Sequence, residues 1–254
     1  MKNPRISIVV IAHNEEVRLK KCIESLLHQT ISPYEIIVVA HNCTDNTYNI
    51  AKSFISSMDS IILSLQIKVI EFNGLYGAPY ARIKGVEATT GDIILCIDGD
   101  SYAAENWIAE MLSKLGSNHL VGSHVKFKGP QPLCFFLNFY NRIASYAIGE
   151  KAIRFLWGAS FGFSSQYREY VIHCIKLSIK NKTDMQLLHF FEDYTIASFF
   201  YKKGLQIEVT NKTRVTTYVP NPNMLSLYRR IRENVREAQK ISMFFQTYDI
   251  GDDD

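Results

Sequence analysis

Two aspartates separated by one glycine, Asp98-Gly99-Asp100, directly follow the apolar run Asp92-Ile93-Ile94-Leu95-Cys96-Ile97. Carboxylates at the end of such a strand face a ligand crevice, and the glycine leaves the backbone free to bring both toward one cation. Mg²⁺ or Mn²⁺ takes a few carboxylate oxygens and keeps places for phosphate oxygens. A cation so placed neutralises a departing diphosphate. An aspartate pair in a loop also caps helices, and Ser101 offers a further cap, so the triplet gains its meaning from position. A second acidic pair, Glu192-Asp193, opens a stretch that reads as a helix ending at Gly204, where acids favour the helix dipole.

The elements around the triplet supply that position. Ile6 to Ile11 is short and β-branched and reads as a buried parallel strand. Asn14 is expected to cap the next helix, with Glu15 and Glu16 in its first turn. Leu19, Cys22, Ile23, Leu26 and Leu27 recur at helical spacing. Glu35 to Val39 is a second strand, a helix carries Ile50, Phe54 and Ile55, and Ile67 to Ile70 is a third strand. Pro79 suits the first turn of a helix reaching about Thr89, and the fourth strand then leads into Asp98. Four strands alternate with three helices, which requires an α/β fold: a mostly parallel sheet with helices on both faces. Ligands bind such sheets at the carboxyl ends of the strands. Four segments lie there: Ala12-His13-Asn14-Glu15, Ala40-His41-Asn42, Phe72-Asn73-Gly74 and the aspartate triplet.

Beyond this the pattern is less regular. Trp107 to Leu115 is amphipathic, and Leu120 to Phe127 and Phe155 to Ser164 are strand-like. Leu205 to Val209 and Arg214 to Tyr218 are candidate strands. Leu133 to Ala147 is apolar and aromatic; it reads as a buried helix, with a membrane-facing or lipid-acceptor segment as the alternative. No repeat or linker divides the chain, so one domain is expected over residues 1–254.

The 254 residues carry 47% hydrophobic and 21% charged side chains with a net charge of +3, too small an excess to point to nucleic acid. Five cysteines without a Cys-x-x-Cys pair predict buried free thiols and a reducing compartment. The N-terminus lacks a signal-type apolar stretch, and no apolar run reaches the length of a membrane span.

Three ordered stretches bring a family into view: Ile8 to Glu16, Ile36 to Thr47, and Ala81 to Ile94 leading into Asp98-Gly99-Asp100. In order and spacing they resemble the inverting glycosyltransferases of family 2, which have the GT-A fold. Phe190-Phe191-Glu192-Asp193-Tyr194 resembles the family's Glu-Asp motif. The resemblance implies a nucleotide-sugar-binding half over residues 1–115 and a smaller mixed acceptor-side region over 116–220. Ala12, His13, Asn14 and Glu15 would edge the base and ribose. Asp98, with Gly99 beside it, would contact the ribose or sugar, Asp100 would hold Mn²⁺ or Mg²⁺ with Asp98 as a second metal carboxylate, and Arg82 would lie near the base or diphosphate. Gly85 would permit close packing of its helix. Asp193 would be the general base and Glu192 would position the acceptor. Trp157 and Gly158 would lie on the acceptor-side wall, where a packed core strand is the alternative.

One departure concerns the base. Many members carry an acid after the second strand that bonds uracil, and here the residues are Ala40-His41-Asn42. Asn42 or His41 could replace that contact, so a UDP-sugar is the default donor and a GDP-sugar stays open. The acceptor expected is a saccharide or lipid-linked hydroxyl in polysaccharide, lipopolysaccharide or glycolipid synthesis, at a cytoplasmic site that includes the inner membrane face. Residues 221–254 read as a basic helix and an acidic tail. Arg229 and Arg230 there would close over the diphosphate, touch anionic lipid, or simply be solvated. A nucleotidyltransferase would need a glycine-rich loop after the first strand, and an esterase-type hydrolase would need a Gly-x-Ser-x-Gly turn; neither is present. A non-catalytic nucleotide-sugar-binding protein of the same fold is the alternative from another class.

Overall fold

The computed structural model describes residues 4–58, 65–131, 133–144, 156–180 and 192–219. In chain order its elements are β1 (Ile6–Ala12), α1 (Leu19–Leu27), β2 (Glu35–His41), α2 (Thr47–Met58), β3 (Gln66–Phe72), α3 (Ala78–Glu87), β4 (Ile93–Asp98) and β5 (Ser101–Ala103). There follow α4 (Trp107–Leu115), β6 (Leu120–Lys128), α5 (Leu133–Ala144), β7 (Ser160–Ser164), α6 (Arg168–Lys180), α7 (Glu192–Lys202) and β8 (Ile207–Tyr218).

The strands form one sheet in the order β3-β2-β1-β4-β7-β6-β8-β5. The β1–β2, β2–β3 and β1–β4 pairs are parallel, as is β6–β8, while β7 and β5 run antiparallel to their neighbours. The expected parallel half is therefore present, and the second half is mixed. From β1 the chain builds outward through β2 to β3, then returns to place β4 on the other side of β1. The β1/β4 junction is thus the point where strand order reverses, and side chains leaving these two carboxyl ends open onto a crevice between diverging connections.

Residues of β1 alternate between two cores. Val9 and Ile11 pack with Ala81, Ile83 and Val86 of α3 and with α6 and α7. Ile8 and Val10 pack with Leu19, Cys22, Ile23 and Leu26 of α1 and with Trp107, Ile108 and Met111 of α4. Burial on both faces accounts for the continuous apolar reading of these strands. Gly85 allows α3 to lie close: a Cβ there would meet Val9 Cγ1 far inside contact distance and Val39 Cγ2 at 3.2 Å.

Several expectations change. Asn14 does not cap α1, which begins at Leu19 after Arg18 without a side-chain cap or an acid in its first turn. Instead Asn14 takes a left-handed backbone (φ 55°) and its Oδ1 accepts the Thr44 N–H at 2.8 Å. The two candidate strands near the end of the chain are one strand, β8, with an irregularity where Thr210 and Arg214 pair with consecutive residues of β6. Helix α6 was not expected. α5 is no buried helix: Cys134 is buried, but Phe135, Phe136 and Phe139 are 62%, 63% and 57% exposed. The five cysteines are free, four of them buried. Among the described residues no helix is long and apolar enough to cross a membrane. The proposed basic tail with Arg229 and Arg230 lies outside the described residues.

Gly85→Ala should lower unfolding stability by about 1–3 kcal/mol, since overpacking a filled core forces strands or side chains aside. Urea denaturation checks this, and an unchanged midpoint would contradict the close α3 packing.

Candidate functional site

A cavity of ≈ 270 Å³ opens at the β1/β4 strand ends. Ile11, Ala12, His13 and Glu15 line one side, and Asp98, Gly99 and Asp100 line the other. His41 after β2 and Tyr76, Ala78 and Ala81 from the turn and start of α3 complete it. Six of the residues singled out from sequence thus share one pocket: Ala12, His13, Glu15, Asp98, Gly99 and Asp100.

Gly99 serves a purpose other than bending. Its N–H donates to the Ile11 carbonyl at 2.8 Å, and a Cβ would meet Ala12 Cβ at 2.8 Å. Only a residue without a side chain lets the β4 end press against the β1 end, which brings Asp98 and Asp100 to the pocket. The Asp100 Oδ1 accepts hydrogen bonds from the Ser101 hydroxyl at 2.9 Å and the Thr217 hydroxyl at 3.1 Å.

Three carboxyls of the pocket, Glu15, Asp98 and Asp100, are raised above their usual range. Burial pushes the Asp100 carboxyl above its usual range, and the neighbouring Glu15 adds to the shift. Burial likewise lifts Asp98 to about 6, against the pull of Arg82 and with help from Asp100 and Glu192. Glu15 is raised by burial despite its pair with Arg18 at 2.9 Å. Asp98 and Asp100 on one side of the cavity, both raised by burial, are hard oxygen donors of the kind a divalent cation takes. Among the described residues no three His, Cys, Asp or Glu side chains form a complete metal cage. That agrees with a cation held by one or two carboxylates and finished by phosphate oxygens.

Arg82 does not line the cavity; it lies behind it. Only 1% exposed, its guanidinium donates to Asp98 Oδ1 at 3.1 Å and to Glu192 Oε1 at 3.3 Å, and stands over the Phe161 ring. Its Nη1 is buried without a hydrogen-bond partner. Glu192 is the first residue of α7, so this cation joins the end of β4 to the start of α7. Asp193 follows, accepting the Gly158 N–H and the Tyr194 N–H, both at 2.7 Å. A Cβ on Gly158 would stand 3.2 Å from Arg82 Nη2 and 3.5 Å from Asp193 Oδ2, so a glycine keeps this junction tight. Burial pushes Asp193 up to about 7, and the Glu192 carboxylate adds to it.

Asn42 is engaged elsewhere. In a left-handed backbone (φ 46°), it accepts the Gly74 N–H and donates to the Gly74 carbonyl, both at 3.1 Å, and so latches the β3–α3 turn. Trp157 packs edge-on against Phe127, 5.2 Å between centroids, rather than in the cavity. The sequence reading missed Tyr76, Ala78 and Ala81. It weighed His41 only as a substitute for an acid. The His13 Nδ1–H donates to the His41 carbonyl, His41 Nε2 accepts the Gly77 N–H, and the Tyr76 ring stands edge-on to His13 at 5.1 Å. His13, His41 and Tyr76 give the cavity an aromatic flank. An aromatic in the turn before Pro79 was the signal available for Tyr76.

A family model described as glycosyl transferase family 2 matches residues 7–173. The chain belongs to glycosyl transferase family 2. This family 2 chain is 30% identical over 131 residues to the glycosyltransferase AglE of Haloferax volcanii, covering 50% of this chain and 41% of that one. It is 34% identical over 118 residues to an uncharacterized glycosyltransferase, EpsJ, of Bacillus subtilis, covering 46% and 32%. It therefore spans less than half the length of these relatives. Among solved structures, its fold is similar to that of the mannosyltransferase PcManGT of Pyrobaculum calidifontis in complex with GDP-Man and Mn²⁺. The TM-score is 0.67 at 18% identity, over 95% of this chain and 65% of that one. It is also similar to S. aureus TarS in complex with UDP-GlcNAc, with a TM-score of 0.59 at 16% identity, over 87% and 60%. The architecture is accordingly the GT-A fold.

Arg82→Met should cost about 3–5 kcal/mol of stability, because it leaves the buried Glu192 without its cation and Asp98 unpaired at the cavity. Chemical denaturation measures this, and a loss below about 1 kcal/mol, the range of an exposed pair, would contradict the buried hub.

Proposed function

We propose that this family 2 chain transfers a sugar from a nucleoside-diphosphate donor to a hydroxyl acceptor with inversion at the anomeric carbon. The observation that carries the reading is the pairing of two acidic groups through one buried cation. Asp98 and Asp100 face the cavity, and Asp193 lies beyond Arg82 with its carboxyl raised to about 7.

Asp193 takes the proton of the acceptor hydroxyl as that oxygen attacks the anomeric carbon. The bond from that carbon to the diphosphate breaks on the opposite face, so one displacement inverts the centre. A base whose pKa lies near the working pH accepts the proton most effectively. The Gly158 and Tyr194 N–H groups hold the carboxylate in place, and Glu192, fixed by Arg82, positions the acceptor. Asp100, with Asp98 beside it, would hold Mn²⁺ or Mg²⁺, which when bound supplies charge neutralisation for the departing diphosphate. His13 and Tyr76 offer ring faces to the nucleotide base, and His41 supports them from behind. A UDP-sugar is the default donor, and a GDP-sugar is the alternative that this aromatic flank also admits.

A saccharide or lipid-linked acceptor in cell-envelope synthesis completes the reading. Five free thiols support a reducing, cytoplasmic compartment. The exposed Phe135, Phe136 and Phe139 support contact with the inner membrane face. Liposome flotation tests that contact; indifference to Phe135→Ser with Phe139→Ser would remove it.

Asp193→Asn should leave donor binding intact and lower turnover by roughly 10²–10⁴-fold, the usual contribution of a general base. Unchanged turnover would sink the assignment, and turnover absent from both proteins would favour a non-catalytic binding protein. Because Asp193 must be ionised to act and its carboxyl is raised to about 7, wild-type kcat should fall with one-proton dependence as pH drops through about 7. An acid limb near an ordinary aspartate value, about 4, would contradict it.

A further inference from the structure

Outside the cavity, next to Asp100, three cations gather on two tyrosines. Arg18, at the head of α1, stands 5.7 Å from the Tyr218 ring centroid. Lys21 Nζ lies 3.7 Å from the Tyr102 centroid and 3.4 Å from the Tyr218 hydroxyl. Lys128 Nζ is 5.5 Å from the Tyr218 centroid. The fold imposes this gathering. Lys128 of β6 pairs in register with Tyr218 of β8, Tyr102 of β5 pairs with Thr216, and α1 lays Lys21 over that sheet corner. Arg18 pairs with Glu15, which lines the acidic cavity, so the patch adjoins that cavity.

Arg18 is neutralised by Glu15 at 2.9 Å. Neither exposed lysine has an ion pair among the described residues, so two positive charges crowd a pair of half-buried rings with no described acid against them. The Tyr218 phenol reports the same field: the hydrogen bond from Lys21 and the charges of Lys21 and Lys128 outweigh burial and lower its pKa. Such a corner attracts an anion with donor-hungry oxygens, and the ring faces accept the carbon skeleton attached to it.

We infer that Lys21, Lys128 and the Tyr102–Tyr218 faces form a second anion subsite, beside the donor cavity, for a phosphate monoester or diester group. The phosphate has two sources, a soluble phosphorylated saccharide acceptor or a phospholipid headgroup. That the bound group belongs to an acceptor rests on the transferase reading; the binding itself does not.

The experiment uses the full chain without divalent cation, when the acidic cavity repels phosphate. Glycerol phosphate is titrated by calorimetry, and flotation compares phosphatidylglycerol with phosphatidylcholine vesicles. Wild type should bind glycerol phosphate, or prefer the anionic vesicles, and Lys21→Gln with Lys128→Gln should weaken that binding by roughly tenfold or more, as loss of two surface cations implies. Lys20→Gln, on the same helix, should change it less than about twofold, the scale of a screened single charge. Loss with glycerol phosphate identifies a soluble acceptor, and loss with vesicles alone identifies a headgroup. Wild type binding neither probe, or the double variant binding both as wild type does, overturns the subsite. UDP binding with Mn²⁺ serves as the separate arm: its absence in wild type would count against the transferase reading and leave the subsite standing.

Discussion

A single buried guanidinium organises the centre of this molecule. Arg82 lies on α3 under the β4 end, almost without exposure, and pairs with Asp98 in one direction and Glu192 in the other. Removing a charge from water is costly unless it is paired and hydrogen-bonded. The pair on each side therefore acts as a constraint: β4 must end, and α7 must begin, within reach of one residue. Gly85, three positions on, lets α3 approach β1 and β2 closely enough to place Arg82 there. Glu192 thus fixes the next residue, Asp193, at the far side of the same centre. Asp98 and Glu192 share this one cation, and burial raises the Asp98 and Asp193 carboxyls against its pull.

The site's location follows from chain order. Strand order reverses between β1 and β4, which opens a crevice exactly where Ala12 to Glu15 and Asp98 to Asp100 emerge. Close approach at Gly99 narrows that crevice, and the latches from Asn14 to Thr44 and Asn42 to Gly74 hold its rim. Both asparagines take left-handed backbones, a conformation asparagine tolerates better than most residues. Their polar atoms shape the loops that present His13, His41 and Tyr76.

The parallel half was legible because burial on two faces makes its strands continuous apolar runs and its helices amphipathic. The acidic triplet was legible because it ends the fourth such run. Arg82 was read as a ligand-facing residue, since sequence cannot show that two acids, 16 and 110 positions away, converge on it. α6 was overlooked although Val171, Ile172, Ile175 and Ile179 recur at helical spacing, because their β-branched side chains lower helix propensity. Leu205 to Val209 and Arg214 to Tyr218 were read as two strands and are one, with an irregularity between them. Trp157 was read as part of an acceptor-side wall or a packed core strand, and its contact with Phe127, 30 positions earlier, was not visible in the sequence.

On the proposed function, Asp98 and Asp100 at the β1/β4 junction bind a diphosphate through a divalent cation. Calorimetric titration of UDP and GDP, with and without Mn²⁺, into wild type and Asp100→Asn tests it most directly. Wild type should bind at least one nucleotide about tenfold or more tightly with the cation, a coupling of about 1.4 kcal/mol or more, and Asp100→Asn should lose that gain. Equal nucleotide binding with and without Mn²⁺, in both proteins, would contradict the claim.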